Sequence, residues 1–267
     1  MTTPRISASS YSNTAPLIWS FLYGRNHGRV ELILDNAPAR SAELLAEDRV
    51  DAALVPVIAY QNLEGVKLLP DVCVGAKERV RSVCLVTQGE DLGDVRSVAL
   101  DTSSQTSVVL TKILFREFLG FEPSWQNAAP EIDAMLASAE AALIIGDPAL
   151  RLSTLFGGGA PNYRVFDLAA LWHEQTGLGF VFAMWMTRRD HVQIDLAAAR
   201  DEGIEHLDEI IANYADLGLE TEQMRQYLSE NISYAADTTM QQGMELYFEL
   251  AAKNGLIAWT EIWANRS

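Results

Sequence analysis

An α/β fold built on a largely parallel sheet is predicted by three features of this chain. Strand signals alternate with helix signals through the first 190 or so residues, several strands read as buried apolar runs, and hydroxyl-rich loops stand between strands and the helices that follow. At 267 residues the chain is long enough for two α/β domains or one large one.

The elements follow in order. "RISAS" reads as a short strand, and "PLIWSFLYG" as a helix with Pro16 suited to its first position. "RVELILD" is a strand, "ARSAELLAED" a helix, and "VDAALVPV" a buried strand stopped by Pro56. "RSVCLVTQ" and "SVALDTS" are further strands. "TSVVLTKILFREFLG" is a helix with Leu110, Ile113, Leu114 and Phe118 along one side. "AMLASAEAALIIG" joins a helix to a strand, and "GFVFAMWMT" is another buried strand. Beyond residue 195 the pattern is all helix, with Leu207, Ile210, Ile211 and Tyr214 on one apolar face and Met240, Met244, Tyr247 and Ala251 on another.

Composition narrows the function classes. A net charge of −16, from 20 basic against 36 acidic residues, argues against nucleic acid and against an anionic membrane surface. A small anionic ligand is compatible with it, because a local field can differ from the global one. The apolar runs are too short to span a bilayer, and no charged-then-apolar leader precedes Arg5, so a soluble cytoplasmic protein is expected. Cys73 and Cys84 read as buried thiols on adjacent strands.

Parallel sheets bind ligands at the carboxyl ends of their strands. "SSYSNTAP" and "LDTSSQTS" are both strand-to-helix loops and together form an anion cradle without lysine. The usual constellations are absent. The four histidines (His27, His173, His191 and His206) lack metal-ligand spacing, and no metal or cofactor is expected. No nucleophile elbow, P-loop or dinucleotide fingerprint occurs, and "FGGGAP" at 156–161 reads as a flexible turn. What remains is a nearly uncharged polar set: Asn13 and Thr14, Ser82, Thr102 through Ser107, and Asp147. Each also has a plain structural reading. Ser82 suits a surface strand, the second loop suits helix capping, and Asp147 before Pro148 suits a turn or an N-cap.

"SYSNTAPL", "VDAALVPVIAYQ", "RSVCLV", "LDTSSQTSVVLTKIL" and "ALIIGDPAL" occur in that order, with "TGLGFVFAMW" after them. Together they resemble the MqnA family of menaquinone biosynthesis, the chorismate dehydratases. The sister naphthoate-forming family typically carries a Pro-Cys-Pro-Asn-Asp segment where this chain has Ser10 to Thr14. Ser12 stands where the familiar first motif has Leu.

The resemblance implies a two-lobe fold like the type II periplasmic binding proteins, with a ligand cleft between α/β lobes joined by two crossover strands. Lobe one is expected over residues 1–85 plus 190–267 and lobe two over 86–189. The implied activity removes water from chorismate, as a monomer or homodimer with a small-molecule substrate as its partner. The resemblance assigns Asn13 and Ser82 to the reacting end. Thr14, Thr102, Ser103, Ser104, Thr106 and Asp147 are left to substrate binding, and Ser103, Ser104 and Thr106, with the N–H groups opening their helix, are candidates to hold the ring carboxylate. No His or Lys stands in these motifs as a base. The substrate's enolpyruvyl carboxylate and Asp147 are therefore both candidates for the C3 proton. The sister activity and a non-catalytic solute-binding protein are the competing readings, since fold alone does not decide function.

Overall fold

The computed structural model describes residues 3–35, 38–155 and 163–258, and the glycine-rich 156–161 stretch lies outside them. In chain order the strands and helices are β1 (Arg5–Ser9), α1 (Ala15–Leu22), β2 (Glu31–Asp35), α2 (Pro38–Ala46), β3 (Ala52–Pro56), α3 (Ala59–Asn62) and β4 (Lys67–Ala76). Next come β5 (Val83–Thr87), β6 (Ser97–Asp101), α4 (Gln105–Ile113), β7 (Ser124–Ala128), α5 (Ile132–Ser138), β8 (Ala141–Ile145), α6 (Gly146–Leu155), β9 (Arg164–Asp167) and α7 (Leu168–Thr176). Last are β10 (Phe180–Thr187), α8 (Leu196–Glu205), α9 (Leu207–Ala212), α10 (Thr221–Gln226) and α11 (Thr238–Lys253).

The described strands form two five-stranded sheets, ordered β2-β1-β3-β10-β4 and β7-β6-β8-β5-β9. In the first, β1 runs parallel to β2 and β3, while β10 runs antiparallel to both β3 and β4. In the second, β6 runs parallel to β7 and β8, while β5 runs antiparallel to both β8 and β9. The expected parallel sheet is thus two sheets, each interrupted by one strand of opposite sense. The reason is topological. A strand–helix–strand unit returns the chain to the same end of its sheet and yields a parallel neighbour. β5 and β10 are the strands that enter from the other sheet, so the strand before each of them is not a member of its own sheet.

Sheet membership also sorts the strands differently from the expected lobe ranges. β5, which straddles residue 85, lies wholly in the second sheet, and β10, before residue 190, lies in the first. The chain passes between sheets through 77–82 and 177–179, and neither connection is itself a strand. Cys73 and Cys84 are buried and free, as expected, but sit on β4 and β5 in different sheets and are not neighbours. Burial pushes the Cys73 thiol up to about 12 and the Cys84 thiol well above its usual range, so both are unreactive.

β7 and β9 escape sequence reading because they are edge strands: "SWQNA" is mostly polar and half exposed, and "RVFD" is four residues long. The long helix expected from residue 106 is α4, continued by a π-helical stretch Leu114–Leu119 and ended by Gly120 in the left-handed region.

The C-terminal helices return across both sheets. α8 packs on α1, where a Cβ on Gly203 would meet the Pro16 carbonyl oxygen at 1.9 Å, so only glycine permits that approach. α11 lies against β10 and α4. Its Tyr247 ring meets Phe180 edge-on at 5.1 Å, and Phe180 in turn meets Trp172 at 5.5 Å. This aromatic cluster buries the second inter-sheet connection, and Trp172 Nε1 donates to the Gly179 carbonyl at 3.2 Å. The tail is not helical throughout. Ser233 forms an isolated antiparallel bridge with Gly75, clamping it to the edge strand β4.

Candidate active site

β1 ends in a hydroxyl-rich turn, as the sequence predicts. Tyr11 is extended, Ser12–Thr14 form a 3₁₀ turn, and Pro16 sits in the first turn of α1 where its missing N–H costs nothing. Thr14 Oγ1 donates to Asn13 Oδ1 at 3.2 Å and lies 3.1 Å from Ser9 Oγ. Thr14 has one hydroxyl proton, so Ser9 is the donor in that second bond. The Asn13 carbonyl is thereby engaged, and its NH₂ group remains as the donor end.

The second loop is built by a residue the sequence reading passed over. Asp101, at the end of β6 and buried, accepts from the Ser103 N–H at 3.0 Å and the Ser103 hydroxyl at 2.5 Å through Oδ1. Its Oδ2 accepts from the Ile145 N–H at 3.3 Å, which ties the loop to β8. Ser104 is the N-cap of α4, accepting from the Ser107 N–H at 3.4 Å and the Ser107 hydroxyl at 3.1 Å. Thr106 is buried. Its Oγ1 accepts from the Ile58 N–H at 3.2 Å and its carbonyl accepts from the Tyr247 hydroxyl at 3.2 Å, so it joins α4 to the start of α3 and to α11. Thr102 is half-buried, and its carbonyl accepts from Gln105 Nε2 at 3.4 Å.

Ser82 is 0% exposed, not a surface strand residue. Its hydroxyl donates over a long 3.5 Å contact to the Val80 carbonyl and faces Tyr227, while its own carbonyl accepts from the Gly146 N–H at 2.7 Å. Two devices aim it. Arg81, just before it, adopts a left-handed φ of 63°. Asp167, the N-cap of α7, accepts from the backbone N–H groups of Val80 at 3.0 Å, Arg81 at 2.6 Å and Ala170 at 3.1 Å. Burial pushes the Asp167 carboxyl up, against those three N–H groups. The sequence shows no sign of this role, because Asp167 lies 85 residues from the serine it supports.

Asp147, at the start of α6, faces the first loop. Its Oδ1 accepts from the Ser12 hydroxyl at 2.5 Å and the Ser12 N–H at 3.2 Å. Burial pushes this carboxyl up, opposed by the Ser12 hydroxyl and N–H and by Arg151. Next to it, Gly146 has φ +67°, and a Cβ there would stand 2.9 Å from the Tyr11 ring. The Tyr11 hydroxyl faces Ser103, and burial raises its pKa.

These pieces enclose one narrow cleft, with a cavity volume of about 50 Å³, between the two sheets. Asn13, Thr14, Ser82, Ser104 and Ser107 share its lining with Ser9 and Tyr11, and apolar walls come from Leu54, Val74, Ile145 and Phe182. No charged side chain is among its lining residues. Of the residues singled out in the sequence, Thr102, Ser103, Thr106 and Asp147 stand outside that lining. Behind Asn13 and Ser82 lies Tyr227, from the C-terminal region, which sequence reasoning missed. Among the described residues no three His, Cys, Asp or Glu side chains gather as a metal-holding group, and no helix is long and apolar enough to cross a membrane. His206 stacks on Trp19 with ring centroids 3.8 Å apart, a packing role away from the cleft.

Comparison with known proteins agrees with this architecture. A crystal structure of an Archaeoglobus fulgidus protein superposes with a TM-score of 0.75 at 17% identity, covering 95% of this chain and 98% of the other. The periplasmic aliphatic sulphonate binding protein of Escherichia coli superposes with a TM-score of 0.63 at 16% identity, over 96% and 88% of the two chains. At such identities the likeness shows the fold alone, which is that of the periplasmic binding proteins. The chorismate dehydratase of Thermus thermophilus is 33% identical over 264 aligned residues, covering 90% of this chain and 92% of that protein. The family model described as menaquinone biosynthesis matches residues 4–253, and this chain belongs to that family.

Proposed function

We propose that this protein is a chorismate dehydratase, a carbon–oxygen lyase that eliminates water from chorismate to give 3-[(1-carboxyvinyl)oxy]benzoate. Its place would be the cytoplasm and the futalosine route to menaquinone. The cleft supports this reading through one feature above all: Asn13 and Ser82, from different loops, meet in a wall without charged groups.

The reaction breaks the C4–O bond and the C3–H bond, and water leaves as the ring becomes aromatic. Aromatisation supplies the driving force, so the protein's tasks are orientation and charge stabilisation rather than strong acid or base. The C3–H is conjugated through the diene to the ring carboxylate, and charge developing at C3 spreads onto that group. Donors aimed there stabilise the transition state more than the ground state. Ser104, whose own hydroxyl proton is left free when it accepts from Ser107, and the N–H groups opening α4 supply such donors. Asn13, with its carbonyl held by Thr14, and Ser82, with a barely engaged hydroxyl, serve the departing C4 hydroxyl and the enolpyruvyl group. The enolpyruvyl carboxylate takes the C3 proton. Asp147 is a poorer candidate, since its oxygens are held by Ser12 and it stands outside the lining. Lobe one comprises the first sheet and lobe two the second, with substrate between them.

The experiment is direct. Purified protein is incubated with chorismate, and the ultraviolet spectrum and product mass are followed. Loss of one water is expected, with Asn13→Ala and Ser82→Ala each lowering kcat by about 10²-fold or more. An unchanged spectrum with ligand binding would mean a solute-binding protein. Consumption of a futalosine-derived substrate instead would mean the sister enzyme.

A further inference from the structure

Among the buried polar groups that the dehydratase reading leaves unused, the Tyr227 hydroxyl stands beside the site. Tyr227 opens a π-helical turn, Tyr227–Asn231, that follows α10, and π-turns concentrate at functional positions because they bulge one side chain out of helical register. Its ring is fully buried, yet its hydroxyl makes no hydrogen bond of ordinary geometry. An orphaned buried hydroxyl costs about 1–3 kcal/mol, so such a group persists where something else favours it. The side chains it faces are Ser82 and Asn13, which pull its pKa down against the larger effect of burial. The phenol is consequently neutral and carries one proton to donate and lone pairs to accept.

We propose that Tyr227 is a positioning residue for the Asn13–Ser82 pair, accepting from the Asn13 amide and donating to Ser82 Oγ when substrate closes the cleft. The observations fix the polarity of this chain. The Asn13 carbonyl already receives the Thr14 proton, so in this arrangement its NH₂ is the end that donates to Tyr227. The Ser82 hydroxyl proton is engaged only by the long 3.5 Å contact to the Val80 carbonyl, so a proton arriving from Tyr227 fills its acceptor side and turns its own proton into the cleft. Each bond polarises the next, and Ser82 becomes a better donor to the departing C4 hydroxyl. Tyr227 itself stands outside the cleft lining and acts through the other two.

This inference rests on the proposed dehydratase activity, and wild-type turnover of chorismate is scored first. No turnover overturns both. With turnover established, Tyr227→Phe is expected to lower kcat about tenfold or more while KM stays within about twofold, with no fall in melting temperature, because the lost hydroxyl made no hydrogen bond of ordinary geometry. In a Ser82→Ala background the same change is expected to cost under about twofold, since the residue it acts through is gone. An undiminished kcat in Tyr227→Phe, or an equal loss in the Ser82→Ala background, overturns the assignment and leaves the dehydratase reading standing. Should the Phe variant melt early, 3-fluorotyrosine at position 227 keeps ring and hydroxyl while changing the acidity of the proton. A change in kcat at constant KM is then expected, and an unmoved kcat overturns the role.

Discussion

The Ser12 hydroxyl donates to Asp147 Oδ1 at 2.5 Å, linking the loop after β1 in the first sheet to the helix after β8 in the second, 135 residues apart in the chain. The bond bridges the cleft from wall to wall, alongside the Tyr11 ring against Gly146 and the Ile58–Thr106 bond. It makes Asp147 a clasp between lobes. Asp147→Asn keeps a carbonyl acceptor for Ser12 and removes the basic oxygen. Turnover of chorismate within about threefold of wild type is expected, and a loss approaching 10³-fold would instead make Asp147 the proton acceptor. Ser12→Ala removes the hydroxyl bond of the clasp and leaves the backbone N–H bond. It should raise KM, destabilise by about 1–2 kcal/mol in denaturant unfolding and leave kcat nearly unchanged, a split visible in steady-state kinetics.

The raised carboxyl of Asp147 carries a pH signature. A group whose folded pKa lies above its unfolded value binds more protons in the folded state between the two values. Its contribution to stability therefore declines as pH rises through that window. Relative to wild type, Asp147→Asn should gain stability as pH is raised from the ordinary carboxylate range toward neutrality, no more steeply than about 1.4 kcal/mol per pH unit. Parallel pH series of melting temperatures check this. A difference that does not change with pH, or that runs the other way, would contradict it.

Gly146 meets two demands at once. Its φ of +67° disfavours any side chain, and a Cβ would press on Tyr11 at 2.9 Å. Gly146→Ala is expected to destabilise by about 2 kcal/mol or more and to weaken chorismate binding by displacing Tyr11, measured by denaturant unfolding and isothermal titration.

Ser104 both caps α4 and lines the cleft. Ser104→Ala should cost about 1 kcal/mol of stability from the lost cap. Ser104→Asn restores a capping oxygen but fills the cleft, so it should recover stability without recovering KM. Recovery of both together would mean that Ser104 serves the helix alone.

Legibility in the sequence followed locality. The alternation of "RISAS", "RVELILD" and "VDAALVPV" with helices was readable because strand and helix periodicities are local. The hydroxyl loops were readable because capping chemistry needs only a few consecutive residues. Asn13, Thr14, Ser82 and Ser104 therefore emerged as candidates and do share one cleft. Ser82 was readable only through its motif, since composition alone gave it a surface strand.

Sequence by itself determined the α/β class, the polar loops and, through ordered motifs, the family. Tertiary structure decided that the strands form two sheets with β5 and β10 reversed, because the sense of a strand depends on the end from which the chain arrives. It decided also that Asp147 clasps Ser12, that Asp167 aims Ser82, and that Tyr227 stands behind Asn13 and Ser82. These pairings join residues far apart in the chain, and their partners are selected by burial: a carboxylate or phenol removed from water bonds with whatever group the packing of two lobes brings within reach.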